Sequence, residues 1–473
     1  MITLPTRFIE RMTALLGGEA DAFFASFDTE PVRSLRWNTL KGEDRLTETA
    51  SFPTAPLPYR PHGYTFENDR IGSTWLHRAG AIYVQEPAAM TPVSCVEIAP
   101  GSRVLDLCAA PGGKSGQLAA LLAGTGVLVS NEYVTDRCRV LAQNLERLGV
   151  RNAAVTNLPP AAVADRYPGF FDLTVVDAPC SGEGMMRKNP LAISEWSEEN
   201  VLMCAARQKE ILAEAVRTVA PGGRLLYSTC TFSVEENEEN VVFLLENFPD
   251  LTLVPVKKEV ADGTSPGIPT PDHPELILCR RCYPHKTPGE GQFVALFQRA
   301  GEREPGPLPS ARASGKKKDR GRGRTDRGGN AEEEALFRAF LSDVLTAGAP
   351  DAVSSFRLLP VGEGWCLSPD LPLPENGLFV PGVRVGEARK GRVIPHHWFF
   401  SAYGKDFKRK IDLSPGDPRL AAYLRGEEIS AEGASCGDGY AAVCVCGIPL
   451  GGAHVSGGRA KNLYPKGLRG ETE

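Results

Sequence analysis

Long apolar runs are absent from this 473-residue chain; none approaches the ~18 consecutive apolar residues of a bilayer-spanning helix, so no membrane partner is expected. The opening Met1-Ile-Thr-Leu-Pro5 lacks a basic segment followed by an apolar one, which argues against secretion and for a cytoplasmic protein with reduced thiols. A dominant charge is missing too. With 23% charged residues and a formal net charge of −5, any polyanion site must be a local patch. No fixed-period repeat is visible, which favours a compact fold over a solenoid. Metal-ligand pairs are incomplete: Cys279-Arg-Arg-Cys282 and Cys444-Val-Cys446 have no second pair at zinc spacing, and His285 alone completes neither. His396-His397 beside Trp398 reads as surface packing, and no metal is assigned.

Size predicts about three domains at roughly 150 residues each. Residues 1–95 read as a small mixed α+β unit, with a helical pattern from Phe8 to Leu16 and short strands or turns at Ser34–Leu40 and Gly63–Phe66. Residues 96–300 alternate apolar strand-like runs with helix-period segments, the pattern of βαβ units around a mainly parallel sheet. Strands are expected at Arg103–Leu107, Gly126–Ser130, Leu173–Val176 and Arg224–Tyr227, and helices at Ser115–Leu122 and Thr135–Leu148. In the second helix Val140, Leu141, Leu145 and Leu148 are assigned to one buried face, with Gly149 as the stop. Residues 301–330, with Lys316-Lys-Lys318 and Arg320, Arg322, Arg324 and Arg327, read as a flexible basic linker able to lie along phosphate. Residues 331–473 begin with a helix from Glu333 to Leu345 and continue as short strands, for which a compact barrel is expected.

Two cysteines stand out among the twelve. Cys180, in Asp177-Ala-Pro-Cys180, and Cys230, in Ser228-Thr-Cys230, each follow a strand, where ligands meet an open α/β sheet. Cys95, Cys108, Cys138, Cys204, Cys366 and Cys436 have no such partner, and packing explains them. The first strand runs into Cys108-Ala109-Ala110-Pro111-Gly112-Gly113-Lys114, a turn of small residues that lets backbone approach a ligand. Gly113-Lys114-Ser115 imitates the end of a phosphate-binding P-loop, but Cys108 stands where that loop needs its first glycine. A full G-x-G-x-x-G is also missing. Glu132 closes the second strand, where a carboxylate accepts hydrogen bonds from ribose hydroxyls. A nucleoside without a phosphate tail fits, and S-adenosyl-L-methionine is such a ligand, its carboxylate favouring the helix N-terminus.

Cytosine C5 is a poor nucleophile until a thiolate adds at C6, so its methylation needs a cysteine, an acid near N3 and a second proton-handling group. Cys230, Cys180 and Asp177 supply these groups, and Lys114 adds a cation able to favour a thiolate or orient the base. Spacing leaves open which thiol attacks. A ribosome-assembly factor that holds RNA without modifying it, and a P-loop phosphohydrolase, are the competing classes.

Three motifs, Cys108-Ala-Ala-Pro-Gly-Gly-Lys114, Asp177-Ala-Pro-Cys-Ser-Gly-Glu-Gly184 and Tyr227-Ser-Thr-Cys-Thr231, resemble the Nol/Nop/Sun family of RNA cytosine-5 methyltransferases. Tyr83-Val-Gln-Glu-Pro87, Arg187-Lys-Asn-Pro190, Pro284-His-Lys286 and Gly289-Glu-Gly291 are similar to its bacterial RsmF branch. The resemblance implies a Rossmann-like S-adenosylmethionine-dependent domain between the N-terminal unit and a β-rich PUA-like module. It implies 16S ribosomal RNA or the small subunit as partner of a monomer, with Cys230 as nucleophile and Cys180 as the thiol that helps release product. Cofactor contacts carry over to Cys108–Lys114, Glu132 and Asp177, and to Asn157, where relatives often have Asp. Lys461, Lys466 and Arg469 would meet phosphate, and the long linker suggests no single interdomain geometry.

Overall fold

The computed structural model describes residues 3–302, 331–347, 353, 355–433 and 437–470. The basic linker from residue 303 onward and Cys436 lie outside these.

At the centre is a ten-stranded sheet. Its parallel part comprises β1 (Arg103–Asp106), β2 (Val127–Asn131), β3 (Ala153–Thr156), β4 (Phe171–Asp177) and β5 (Val219–Thr229), in spatial order β3-β2-β1-β4-β5. Residues on β1, β2 and β3 are buried throughout, as expected of strands covered on both faces. Antiparallel β6 (Arg280–Cys282) and β7 (Gln292–Arg299) extend the sheet beyond β5. The order in which strands are added reverses between β1 and β4, and the crevice above that switch point is the expected ligand site of such a fold.

Helix α1 (Gly113–Leu122) follows β1, and α2 (Thr135–Leu148) follows β2 and stops at Gly149, whose φ of 72° suits a residue without a Cβ. On α2 the buried stripe is Cys138, Leu141, Ala142, Leu145 and Leu148. Val140 is 44% exposed, contrary to its assigned place inside, because one residue before Leu141 it sits about 100° around the helix. The fifth strand is also longer than Arg224–Tyr227, since Val219 and Ala220 are buried and Val219 pairs with Phe171 at the base of β4.

The N-terminal segment contributes helix Thr6–Leu16 and a four-stranded antiparallel sheet ordered Thr54–Pro56, Gly63–Phe66, Ser34–Trp37, Ile82–Val84. Beyond residue 331 the described chain is not a closed barrel. It has a four-stranded sheet (Phe356–Val361, Gly364–Pro369, Val383–Arg389, Arg392–Pro395) and a five-stranded one carried by Gly439–Val445 and Ile448–Ser456. A further strand, β8 (Leu378–Val380), pairs antiparallel with β3 and closes that edge of the central sheet.

The C-terminal segment packs against the N-terminal and central ones. Leu35, Trp37, Trp75 and Ile82 share an apolar cluster with Ile411, Leu413, Val443 and Leu450. Arg151 on the catalytic segment bonds the Ala402 carbonyl at 2.7 Å and pairs with Asp406 at 2.5 Å. His397, expected at the surface, opens a helix (His397–Tyr403) wedged between the segments, and burial pushes its imidazole down to about 3. His396 caps that helix by accepting the Trp398 N–H.

Candidate active site at the carboxyl edge of the sheet

The residues of the two cysteine motifs and of the small-residue turn stand at the carboxyl ends of strands, in the turns that follow, or, for Gly113 and Lys114, in the first turn of α1. Asp106 ends β1, and Cys108–Gly112 form the turn into α1. Gly112 has φ 111° and an added Cβ there would lie 3.2 Å from Leu141 Cδ1, so the turn requires glycine. The Ala110 and Pro111 carbonyls accept bonds from Arg137 at 3.0 Å and Asn144 at 2.8 Å, which fixes the turn against α2. Ala109 N–H donates to Asn131 O at 2.8 Å. Cys108 packs on the core beneath the sheet, and burial raises its thiol.

Glu132 follows β2 and is 4% exposed. One carboxylate oxygen accepts Val134 N–H at 2.9 Å, while the other has Arg137 at 3.7 Å and keeps lone pairs for hydroxyl donors. Asn157 follows β3 with both amide hydrogens committed, to the carbonyls of Glu132 at 2.7 Å and Tyr133 at 2.8 Å. It orders the Glu132 loop, and its oxygen accepts from Thr135 at 3.0 Å.

Lys114, in the first turn of α1, crosses to Asp177 at the end of β4 with Nζ to Oδ2 at 2.7 Å. Burial lowers the ammonium's pKa, but the Asp177 charge and hydrogen bond outweigh it and hold Lys114 above its ordinary value. The other Asp177 oxygen accepts from Ser228 Oγ at 2.7 Å and faces Gln292 at 3.5 Å. Under β1, burial pushes Asp106 up to about 7, with Ser115 donating to it at 2.6 Å.

Cys180 and Cys230 have their sulfurs 3.2 Å apart. The Cys230 contact raises Cys180 well above the ordinary thiol value, and burial adds to the effect. Around the pair lie groups that the sequence had not marked. Glu183 is 1% exposed and accepts from Trp196 Nε1, Thr231 Oγ1, Phe232 N and Ser233 Oγ at 2.7–2.9 Å. Glu236 is fully buried and takes Ser181 N, Ser181 Oγ and Gln208 Nε2. Glu183 lies inside the Asp177–Gly184 motif with no role read for it there, and Glu236 lies in a polar stretch that reads as solvated.

The remaining motifs meet here. A Cβ on Gly184 would lie 2.7 Å from both Cys230 O and Gly291 Cα, so two glycines let the Cys180 and β7 loops touch. Glu86 accepts Glu290 N–H at 2.8 Å, and Arg187 grips the buried Glu290 carboxylate with two nitrogens. Of the basic C-terminal residues, Lys461 and Lys466 are exposed, whereas Arg469 is half-buried and donates to Tyr464 O at 3.1 and 3.2 Å. Among the described residues no three His, Cys, Asp or Glu side chains converge as a metal site, and no helix is long and apolar enough to cross a membrane.

The residues suit S-adenosylmethionine: a glycine-dependent turn, first-turn N–H groups of α1 without intrahelical acceptors, and a Glu132 oxygen that faces Arg137 at 3.7 Å and keeps lone pairs for ribose hydroxyls. Fold and crevice define a Rossmann-like methyltransferase dependent on that cofactor. Residues 93–298 match the family described as 16S rRNA methyltransferase RsmB/F, residues 4–87 the N-terminal domain of 16S rRNA methyltransferase RsmF, and residues 410–470 the methyltransferase RsmF PUA domain. A relative from Vibrio vulnificus (strain YJ016), ribosomal RNA small subunit methyltransferase F, is 30% identical over 99% of this chain and 98% of its own. A Pectobacterium atrosepticum protein of the same name is 35% identical over 65% of each chain. The crystal structure of a methyltransferase homolog from Pyrococcus horikoshii is 30% identical, with TM-score 0.55 over 62% of this chain and 95% of that one. The NSun6 structure from the same organism, solved with SFG, shares the fold at 21% identity and TM-score 0.54, covering 63% of this chain and 99% of that one. The chain belongs to the ribosomal RNA small subunit methyltransferase F family.

Proposed function

We propose that this protein methylates C5 of a cytosine in small-subunit ribosomal RNA through a covalent adduct between Cys230 and C6 of the base. The observation that carries the reading is the thiol pair, 3.2 Å apart beside the Lys114–Asp177 ion pair at adjacent strand ends. Glu132, the α1 first turn and the Cys108–Gly113 backbone hold S-adenosylmethionine, which when bound supplies the electrophilic methyl group.

Cys230 adds as thiolate to C6, which pushes electron density to C5 and negative charge toward N3. Asp177 faces the N3 and N4 edge of the base, and Lys114 balances the charge in a crevice where water screens little. The Cys230 contact and burial raise the Cys180 thiol, and it is the resemblance to the RsmF branch that gives attack to Cys230 and product release to Cys180. Once C5 is methylated its proton passes to the Cys180 sulfur as that thiol gives its own proton to solvent; the C5–H electrons form the C5–C6 double bond, and the C6–sulfur bond breaks to return the Cys230 thiolate. Exposed Lys461 and Lys466 provide phosphate contacts from the C-terminal module.

The test uses purified full-length protein, small-subunit RNA and the methyl donor, with adducts resolved on a denaturing gel. Cys180→Ala should trap protein on RNA, whereas Cys230→Ala should give neither adduct nor methyl transfer. An adduct with Cys230→Ala and none with Cys180→Ala would reverse the two roles. RNA binding without methyl transfer by the wild type would leave a non-catalytic assembly factor.

A further inference from the structure

Four oxygens form a buried row across the thiol loops: Glu236 Oε1, Ser181 Oγ, Thr231 Oγ1 and Glu183 Oε2. Ser181 and Thr231 are the residues immediately after Cys180 and Cys230. Their hydroxyls lie 2.9 Å apart, Thr231 Oγ1 lies 2.8 Å from Glu183, and Ser181 Oγ bonds Glu236.

This row has three oxygen-to-oxygen links but only two hydroxyl hydrogens. If both carboxyl groups were ionised, each hydroxyl would point at its own carboxylate and the 2.9 Å link would face lone pair to lone pair. One further proton is required. Glu183 is the poorer place for it. Its oxygens already take donors from Trp196, Phe232, Ser233 and Thr231, two of them N–H groups that cannot accept, so an added O–H there would have to displace a donor. Glu236 Oε1 meets only the Ser181 hydroxyl, since both N–H donors go to its other oxygen. Among the described residues neither carboxyl has an ion-pair partner within 4.0 Å, so burial favours the neutral form where donors are fewer. Burial raises Glu236, and the nearby Glu183 charge does the same.

We infer that Glu236 is kept as a neutral carboxylic acid whose O–H donates to Ser181, ordering a chain Glu236 → Ser181 → Thr231 → Glu183 that ties the Cys180 turn to the Cys230 turn. The ends of this chain also grip backbone. Glu236 accepts Ser181 N–H while Gln208, bonded to the same oxygen, donates to Pro179 O at 3.0 Å, so both neighbours of Cys180 are clasped. On the other side Glu183 accepts Phe232 N–H, and Gly184 N–H donates to Cys230 O at 2.9 Å. Glu236 and Glu183 are therefore positioning residues that set the thiol spacing. The inference rests on the covalent reading only for what that spacing does.

The test exploits the likeness of a glutamine amide to a protonated carboxyl. In Glu236→Gln the –NH₂ can donate to Ser181 and the carbonyl can still accept Ser181 N–H and Gln208, so adduct formation, adduct release and methyl transfer should stay within about twofold of wild type, ~0.4 kcal/mol. Glu236→Ala and Glu183→Gln should each lose about tenfold or more, ~1.4 kcal/mol, and release should suffer most in the former because it frees the Cys180 turn. Wild-type protein labelled with ¹³C at glutamate carboxyls should show a protonated carboxyl signal at neutral pH that is missing in Glu236→Gln and present in Glu183→Gln. A Glu236→Gln protein that is as impaired as Glu236→Ala, or fails to fold, overturns the inference, as does a spectrum without that signal. If Cys180→Ala yields no RNA adduct while the signal stands, the covalent reading fails and the proton assignment does not.

Discussion

Two polar clusters buried in this protein carry opposite charge. Beneath the thiols, Glu183 and Glu236 are surrounded by hydroxyl and N–H donors. At the junction of the three segments, Lys41 is buried among cations, with Arg147, Arg151 and Lys405 all acting on it. Its Nζ donates to the Ser401 carbonyl at 2.7 Å and hydroxyl at 3.0 Å. This cluster sits against the carboxyl end of α2, where Asn38 donates to Leu148 O at 2.9 Å and Ser401 to Arg147 O at 3.1 Å. Dipoles replace counterions in both places: donors around the Glu183 carboxylate, and the carbonyl end of a helix beside the cations. Only the first cluster touches reactive groups. The second joins modules, and little in it depends on chemistry.

The comparison can be broken by removing one charge from each side. Glu183→Ala should have the largest effect: it strands four donors at ~1–3 kcal/mol each and so should cost about 4 kcal/mol or more in denaturant unfolding. A loss below about 1 kcal/mol would mean that the carboxylate is dispensable to the fold. Lys41→Met should be neutral or stabilising, within the ~1–4 kcal/mol seen when buried ionic groups give way to apolar ones. Its pH dependence is sharper. Burial lowers Lys41 well below 10.5, so between the folded value and 10.5 the unfolded state binds the extra proton. Wild-type stability relative to Lys41→Met should thus rise as pH climbs toward 10.5, and a flat difference across that window would refute a depressed Lys41. Ser401→Ala should be the mildest, about 1 kcal/mol for one hydroxyl bridge, with methyl transfer unchanged.

What could be read in advance follows from how local each cause is. Helix α2 shows its period, its glycine stop and its buried leucines, and it begins and ends where the pattern says. Val140 was misplaced because an apolar residue at the margin of a stripe looks the same inside or out. The parallel strands are apolar runs between turns, and their order produces the crevice. Glu183 and Glu236 were illegible because glutamates beside Gly184 and within Val234-Glu-Glu-Asn237 look solvated, and only the folded loops supply their donors. His397 was hidden for the same reason, since three segments must meet before it is buried. The three-residue β8 carries too little pattern to announce that it belongs to a sheet formed more than 200 residues earlier.

That strand also bears on how the chain is made. Synthesis delivers β3 well before Leu378–Val380 leaves the ribosome, so the nascent catalytic sheet exists for a time with an open edge of unpaired N–H and C=O groups. Its last hydrogen bonds come from the module that arrives last. Truncation before residue 378 would therefore leave a template for strand addition by a neighbouring chain, and completion of the C-terminal module serves as the protein's own guard against self-association.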